Sequence, residues 1–187
     1  MHRIPPTTKS YFIDSLCQYV ISVEASKLVF NPFLSDRPSW QIQNDKIVSM
    51  IRLSKDERLL AIQRQNLVIE IFEIEREISF HLILSNAILL FEWINEETLL
   101  VVTKGKIELH SYRVGESEIR KEKSISCQSS WATYDHSLKF LLIASGQNNR
   151  EGHLFQIRTG ITKFAKFELN SRNLGSLTAS NLILVTL

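Results

Sequence analysis

Arg58-Leu59-Leu60-Ala61-Ile62, Thr98-Leu99-Leu100-Val101-Val102-Thr103 and Lys139-Phe140-Leu141-Leu142-Ile143-Ala144 are three variants of one phrase. Each is a strand-sized apolar run, short for a helix and continuous as a strand buried on both faces should be. A polar turn precedes each one: Ser54-Lys55-Asp56-Glu57, Asn95-Glu96-Glu97 and Asp135-His136-Ser137. Upstream of each turn lies another strand-like run, at Ile47 to Leu53, Ile88 to Ile94 and Trp131 to Tyr134. Downstream, Gln65-Asn66, Lys104-Gly105 and the loop Ser145 to Gly152 lead into Leu67 to Ile74, Lys106 to Tyr112 and His153 to Arg158. Leu59, Leu99 and Leu141 stand 40 and 42 residues apart. A more polar fourth strand closes each copy, at Ile78 to Leu84, Glu118 to Ile125 and Ile161 to Leu169. Four strands recurring at a period near 40 match the blade of a β-propeller.

The expected fold is all-β, a partial β-propeller of about four blade-like, four-stranded antiparallel repeats. Residues 1–10 read as a flexible leader, and 11–187 as an incomplete propeller with units at 11–46, 47–87, 88–129 and 130–187. The first unit is ragged, with short runs such as Tyr19 to Val23 and Lys27 to Phe30 and a turn-rich connection from Asn31 to Pro38. The Glu-rich stretch Leu67 to Phe80 would also suit a helix, but its β-branched residues and the recurring turns favour strands. A β-sandwich has many short strands too, and the regular phase favours blades. The closing run Asn181 to Leu187 reads as a strand with no partner after it, which suggests a piece of a longer protein.

A hydrophobic fraction of 44% and a charged fraction of 22% place the chain among globular proteins and away from disordered ones. A net charge of +2 gives no reason to expect nucleic acid as a partner. Met1-His2-Arg3-Ile4-Pro5-Pro6 lacks the apolar stretch of a signal peptide, and a strand-sized apolar run such as Ala87 to Phe91 is far below a membrane span. Cys17 and Cys127 have no CxxC partner. They read as two reduced thiols of a cytosolic protein, with a single disulfide as the alternative.

Nothing in the sequence converges on catalysis. Asp135-His136-Ser137 carries the letters of a hydrolytic triad, yet neighbours along an extended chain point alternately apart, so a polar turn is the better reading. The histidines, His2, His81, His110, His136 and His153, show no metal-ligand spacing. Lys104-Gly105-Lys106 lacks the frame of a phosphate loop and reads as a hairpin in which Gly105 supplies a positive φ. No cofactor or small-molecule ligand is expected. Trp93 and Trp131 occupy equivalent strands and read as core anchors. Trp40, in a polar stretch close to Arg37 and Pro38, is the candidate surface anchor. Arg120, Lys121 and Lys123 lie in a charged outer strand, a candidate contact for acidic protein or lipid beside its plain role as a solvated edge.

Several stretches occur together in one order: Ser35-Asp36-Arg37-Pro38, Leu60-Ala61-Ile62-Gln63-Arg64, Lys104-Gly105-Lys106-Ile107-Glu108, Trp131, His153 to Gly160, and Lys166-Phe167-Glu168-Leu169. In this set the chain resembles the N-terminal domain of the Bulli/Mic family, the regulatory third subunit of the Mon–Ccz guanine-nucleotide exchange complex. The resemblance implies an N-terminal propeller acting as a non-catalytic scaffold, with the Mon–Ccz heterodimer as partner. It also implies a role in activating the late-endosomal and lysosomal Rab GTPase, in endosome maturation and in autophagy. The protein would then be cytosolic and reach late-endosomal membranes indirectly, through partners. The family's long C-terminal helical region has no counterpart in these 187 residues. The alternative is a WD40-like propeller adaptor of another trafficking or coat assembly.

Overall fold

The computed structural model describes residues 10–13, 18–24, 26–33, 36–146 and 151–168, and every regular element among them is a β-strand. The first sheet holds β1 (Ser10–Ile13), β2 (Tyr19–Val23), β3 (Lys27–Pro32) and β4 (Trp40–Gln43). The second holds β5 (Met50–Leu53), β6 (Leu59–Gln65), β7 (Val68–Glu73) and β8 (Ile78–Ile83). The third holds β9 (Ile88–Trp93), β10 (Thr98–Thr103), β11 (Lys106–Ser111) and β12 (Arg120–Ser126). The fourth holds β13 (Trp131–Asp135), β14 (Phe140–Ser145), β15 (Glu151–Ile157) and β16 (Ile161–Glu168). Each sheet is an antiparallel meander in chain order. The stretch 67–80 is therefore strand and not helix. The proposed leader up to residue 9 and the run Asn181 to Leu187 lie outside the described residues.

The chain divides into two compact units, Met1–Ile83 and Leu84–Leu187. In the first, Tyr19, Ile21, Leu28 and Phe30 pack with Ile51, Leu53, Leu60 and Ile62 in one core. In the second, Leu90, Leu100, Val102, Ile107 and Leu109 pack with Leu141, Ile143, Phe155, Ile157 and Ile161. Side chains alternate across a pleat, so these residues are every second one of their strands. Burying each aliphatic side chain supplies about 1.5–3 kcal/mol. The second strands, β6, β10 and β14, are buried on both faces over most of their length, which explains their continuous apolar runs. The fourth strands β8, β12 and β16 alternate or stand mostly exposed, as an edge strand can.

Local chemistry fixes the turns. Asp56 Oδ1 accepts from Ser54 Oγ at 2.7 Å, and Ser54 Oγ accepts from the Leu59 amide at 2.9 Å. Asn95 Oδ1 accepts from the amides of Glu97 and Thr98 at 2.9 and 2.7 Å. Asp135 Oδ1 accepts from the amides of Ser137 and Leu138 at 2.9 and 2.8 Å and from Ser137 Oγ at 2.6 Å. The Asn95 and Asp135 contacts are Asx turns, in which a short side chain satisfies the backbone that the strands leave open, and Asp56 makes a longer one with the Arg58 amide at 3.3 Å. Two local expectations need correction. Gly105 does not take a positive φ; among the described glycines only Gly115 and Gly146 do. Its hairpin is held by Thr103 Oγ1, which accepts from the Lys106 amide at 3.1 Å, and a Cβ at 105 would meet the Asn86 amide at 3.2 Å. The connection read from Asn31 to Pro38 also begins later, since β3 continues through Asn31 to Pro32. Trp40–Gln43 adds a short fourth strand to the first sheet.

Candidate functional site

Trp40 opens β4 opposite Phe30, and the two rings stack with centroids 3.7 Å apart and planes within 2°. Tyr19 meets the indole edge-on at 6.0 Å. One face of Trp40 is thus spent on the first core, and the side chain ends half-buried. Arg37, in the β3–β4 loop, points its guanidinium at Glu57 Oε1. Glu57 sits in the β5–β6 turn and accepts at Oε2 from the Tyr19 hydroxyl at 2.9 Å. The structure therefore gathers Arg37, Trp40, Tyr19 and Glu57 in the first unit, with the Arg37 side chain 62% exposed. Tyr19 and Glu57 were not singled out from the sequence, because their link spans 38 residues and leaves no local signal.

Arg120, Lys121 and Lys123 lie in β12, paired with Ser111, His110 and Leu109 of β11. They are not a uniform basic patch. Arg120 reaches Glu116 at 3.6 Å and Glu118 at 3.4 Å. Lys121 turns inward to Glu108 at 3.1 Å. Lys123 forms no ion pair among the described residues, and it leans over the backbone at Gly160. Of the three, Lys123 has its charge available to a partner.

Glu108 is a buried carboxylate that also takes a hydrogen bond from Ser124 at 3.1 Å and faces His110 Nε2 at 3.3 Å. Burial alone would raise its pKa. Lys121, His110 and Ser124 outweigh that and hold it below the ordinary carboxylate range. Burial pushes His110 down, against the pull of Glu108, so its neutral form is favoured. Glu70 of β7 repeats the theme. Burial raises it, but Arg64, whose Nε donates at 2.6 Å, brings it down overall. Ile69-Glu70-Ile71 and Ile107-Glu108-Leu109 show the shared signal, an acid inside an apolar triplet of the third strand, that sequence reasoning passed over.

Two other polar constellations centre on histidines. His153 Nε2 lies 3.0 Å from Ser145 Oγ and 3.6 Å from Glu151 Oε2, while its buried Nδ1 meets no hydrogen-bond partner among the described residues. His136 faces Glu92 at 3.3 Å from the turn that Asp135 organises. Among the described residues no three His, Cys, Asp or Glu come together as a metal site. Cys127 is half-buried, and burial raises its thiol pKa; Cys17 lies outside the described residues, and so does any question of their pairing. Trp93 and Trp131 occupy equivalent strands, but at opposite ends. Trp93 is buried, whereas Trp131 is half-buried.

Solved structures share this architecture at low identity. The β-propeller domain of Cps50 (Swd1) from Myceliophteria thermophila matches 85% of the chain with a TM-score of 0.56 at 14% identity. A functionally unknown protein from Desulfotomaculum acetoxidans matches 89% with a TM-score of 0.60 at 10% identity. A chain of the mitotic checkpoint complex matches 82% with a TM-score of 0.56 at 12% identity. The chain spans 57%, 58% and 51% of those three. Identities this low carry the fold alone, and the fold is that of a β-propeller segment. No curated protein matches in sequence. A family description does match, over residues 12–119, more than half of the chain. With its strands in blade order and that match running from β1 into the loop before β12, the chain belongs to the family "Regulator of MON1-CCZ1 complex, N-terminal".

Proposed function

We propose that this chain is a non-catalytic scaffold segment through which a regulator engages the MON1–CCZ1 complex. The observation that carries the reading is the family match over residues 12–119. Among the described residues sixteen short strands form four sheets, and the turn loops between such strands are where a scaffold subunit presents side chains. Its mechanism is burial of complementary surface, with no bond made or broken. The finer role follows from the same reading: support of Rab GTPase activation on late endosomes and lysosomes, hence of endosome maturation and autophagy. The chain would be cytosolic and reach the membrane through its partners. Trp40 with Arg37 in the first unit, and Arg120, Lys121 and Lys123 in the second, are the proposed contact residues, with Lys123 the least committed to internal pairing.

The test is capture of the full chain on immobilised MON1–CCZ1 dimer. Saturable capture is expected, weakened by Lys123→Glu combined with Arg37→Glu and accompanied by an unchanged melting temperature. Charged rim substitutions act mainly on association rate and salt dependence, so the loss should be steepest at low ionic strength. A chain that ignores the dimer but is captured by another trafficking assembly would replace this reading with the adaptor alternative.

A further inference from the structure

The three later sheets each bring one turn residue from their first hairpin against one from their last, and the backbone defines the equivalence. The Ile74 amide donates to the Arg58 carbonyl at 3.0 Å, Tyr112 to Glu97 at 2.8 Å, and Ile157 to Lys139 at 2.8 Å. The residues that follow the three donors are Glu75, Arg113 and Arg158. In the second sheet the equivalent side chains form an ion pair, Arg58 with Glu75 at 3.9 Å. In the third the signs are exchanged but the pair persists, Glu97 with Arg113 at 3.1 Å. In the fourth sheet both positions are cations, Lys139 and Arg158. Both are exposed, and neither forms an ion pair among the described residues. Like charges at facing positions repel, and the repulsion is relieved when an anion enters between them.

The cations do not stand on open surface. Lys139 and Arg158 line a cleft of about 450 Å³ that is floored by Ile94 and Ile157, with Leu138 at its lip 41% exposed. We infer that this cleft is a docking site for an acidic peptide segment of a partner protein, its carboxylates pairing Lys139 and Arg158 and an apolar side chain resting on Leu138. Arg guanidinium offers a bidentate fork to a carboxylate, and Lys a point charge beside it. The adjoining cleft of about 390 Å³ argues for a peptide over an anionic membrane. It is lined by Glu97, Glu116 and Glu122 but also by Arg113, Arg120 and Arg158, so its charges balance and the unpaired positive charge is confined to Lys139 and Arg158, a footprint that a few carboxylates of one chain match and a broad negative surface does not. The inference goes beyond the complex reading and is measured separately from it.

The experiment is fluorescence anisotropy of the full chain with a labelled octapeptide of Asp, Glu and Leu, compared with its Asn/Gln counterpart and with phosphatidylserine vesicles. The acidic peptide should bind saturably and lose affinity as salt rises, while the amide peptide should not bind. Lys139→Glu combined with Arg158→Glu should weaken binding by about tenfold or more and gain affinity for a Lys-rich peptide instead. Lys139→Gly is the conservative second variant, since Lys139 sits at φ 57° where glycine is at ease. It should fold as before and show an intermediate loss. The inference is overturned if the acidic peptide does not saturate, if the charge-reversed protein binds it equally well, or if vesicles bind through these residues and the peptide does not.

Discussion

Gly152 of β15 faces Phe167 of β16, and a Cβ at Gly152 would run into the Phe167 ring carbons. The ring lies over the glycine, a way of covering bare backbone on a sheet surface. Gly152→Ala is therefore expected to destabilise the protein by about 1–2 kcal/mol, because the ring must swing off its site. The cost should shrink in a Phe167→Ala background, a coupling that urea melts of the four proteins in a double-mutant cycle will report. Additive effects would mean that the ring and the glycine are independent. Neither the contact nor its sign could be read from the sequence. His153-Leu154-Phe155 was legible as a strand, but the register that sets Gly152 opposite Phe167 includes a shift between Leu154 and Phe155.

Such irregularities mark the limit of sequence reasoning at the level of strands and turns. The second strand of each later sheet was legible because burial on both faces demands an unbroken apolar run, and Leu59, Leu99 and Leu141 mark it. The Asx turns were legible because Asp and Asn in a polar break suit only a few backbone shapes. β4 was not, since Trp40-Gln41-Ile42-Gln43 is too short to show a period. The electrostatic part of the candidate surface was the least legible, because pairing depends on register. The β6–β7 ladder slips between Gln63 and Gln65, which leaves Arg64 as the extra residue and aims it at Glu70 and Asn44. Arg64→Met should cost about 3 kcal/mol by stranding the Glu70 carboxylate in a buried site, and adding Glu70→Gln should return part of it. Thermal melts of the single and double variants decide it, and a double variant no better than the single would remove Arg64 from this role.

The buried ionisable groups add up in one property of the whole molecule, its response to acid. His110 and His153 are lowered from their ordinary value of 6.5, chiefly by burial. The unfolded chain thus binds more protons than the folded one just below that value. Stability present above it is lost as pH falls. Glu70 and Glu108 are lowered from 4.5, and Asp135 from 3.8, despite burial acting in the opposite sense. Their contribution is present above those values and is lost below them. Acid should therefore weaken the protein in two stages, the first beginning near pH 6.5 and the second near 4.5. Urea midpoints across pH will show both limbs, and His110→Gln should reduce the first to the share of His153 and also shrink the second, because Glu108 loses one of the partners that hold it low. A midpoint constant from pH 7.5 to 5.5 would count against the histidine assignment. The fourth strands set a different large-scale behaviour. β12 carries Arg120, Lys121, Glu122 and Lys123, and β16 carries Lys163, Lys166 and Glu168, whereas β4 and β8 hold no Asp, Glu, Lys or Arg. Charge on a rim keeps foreign backbone from zipping onto it. When crowded molecules begin to stick, fibril growth should seed on the early half of the chain, and a lysine placed at Ser79 would be the cheapest way to keep concentrated solutions clear.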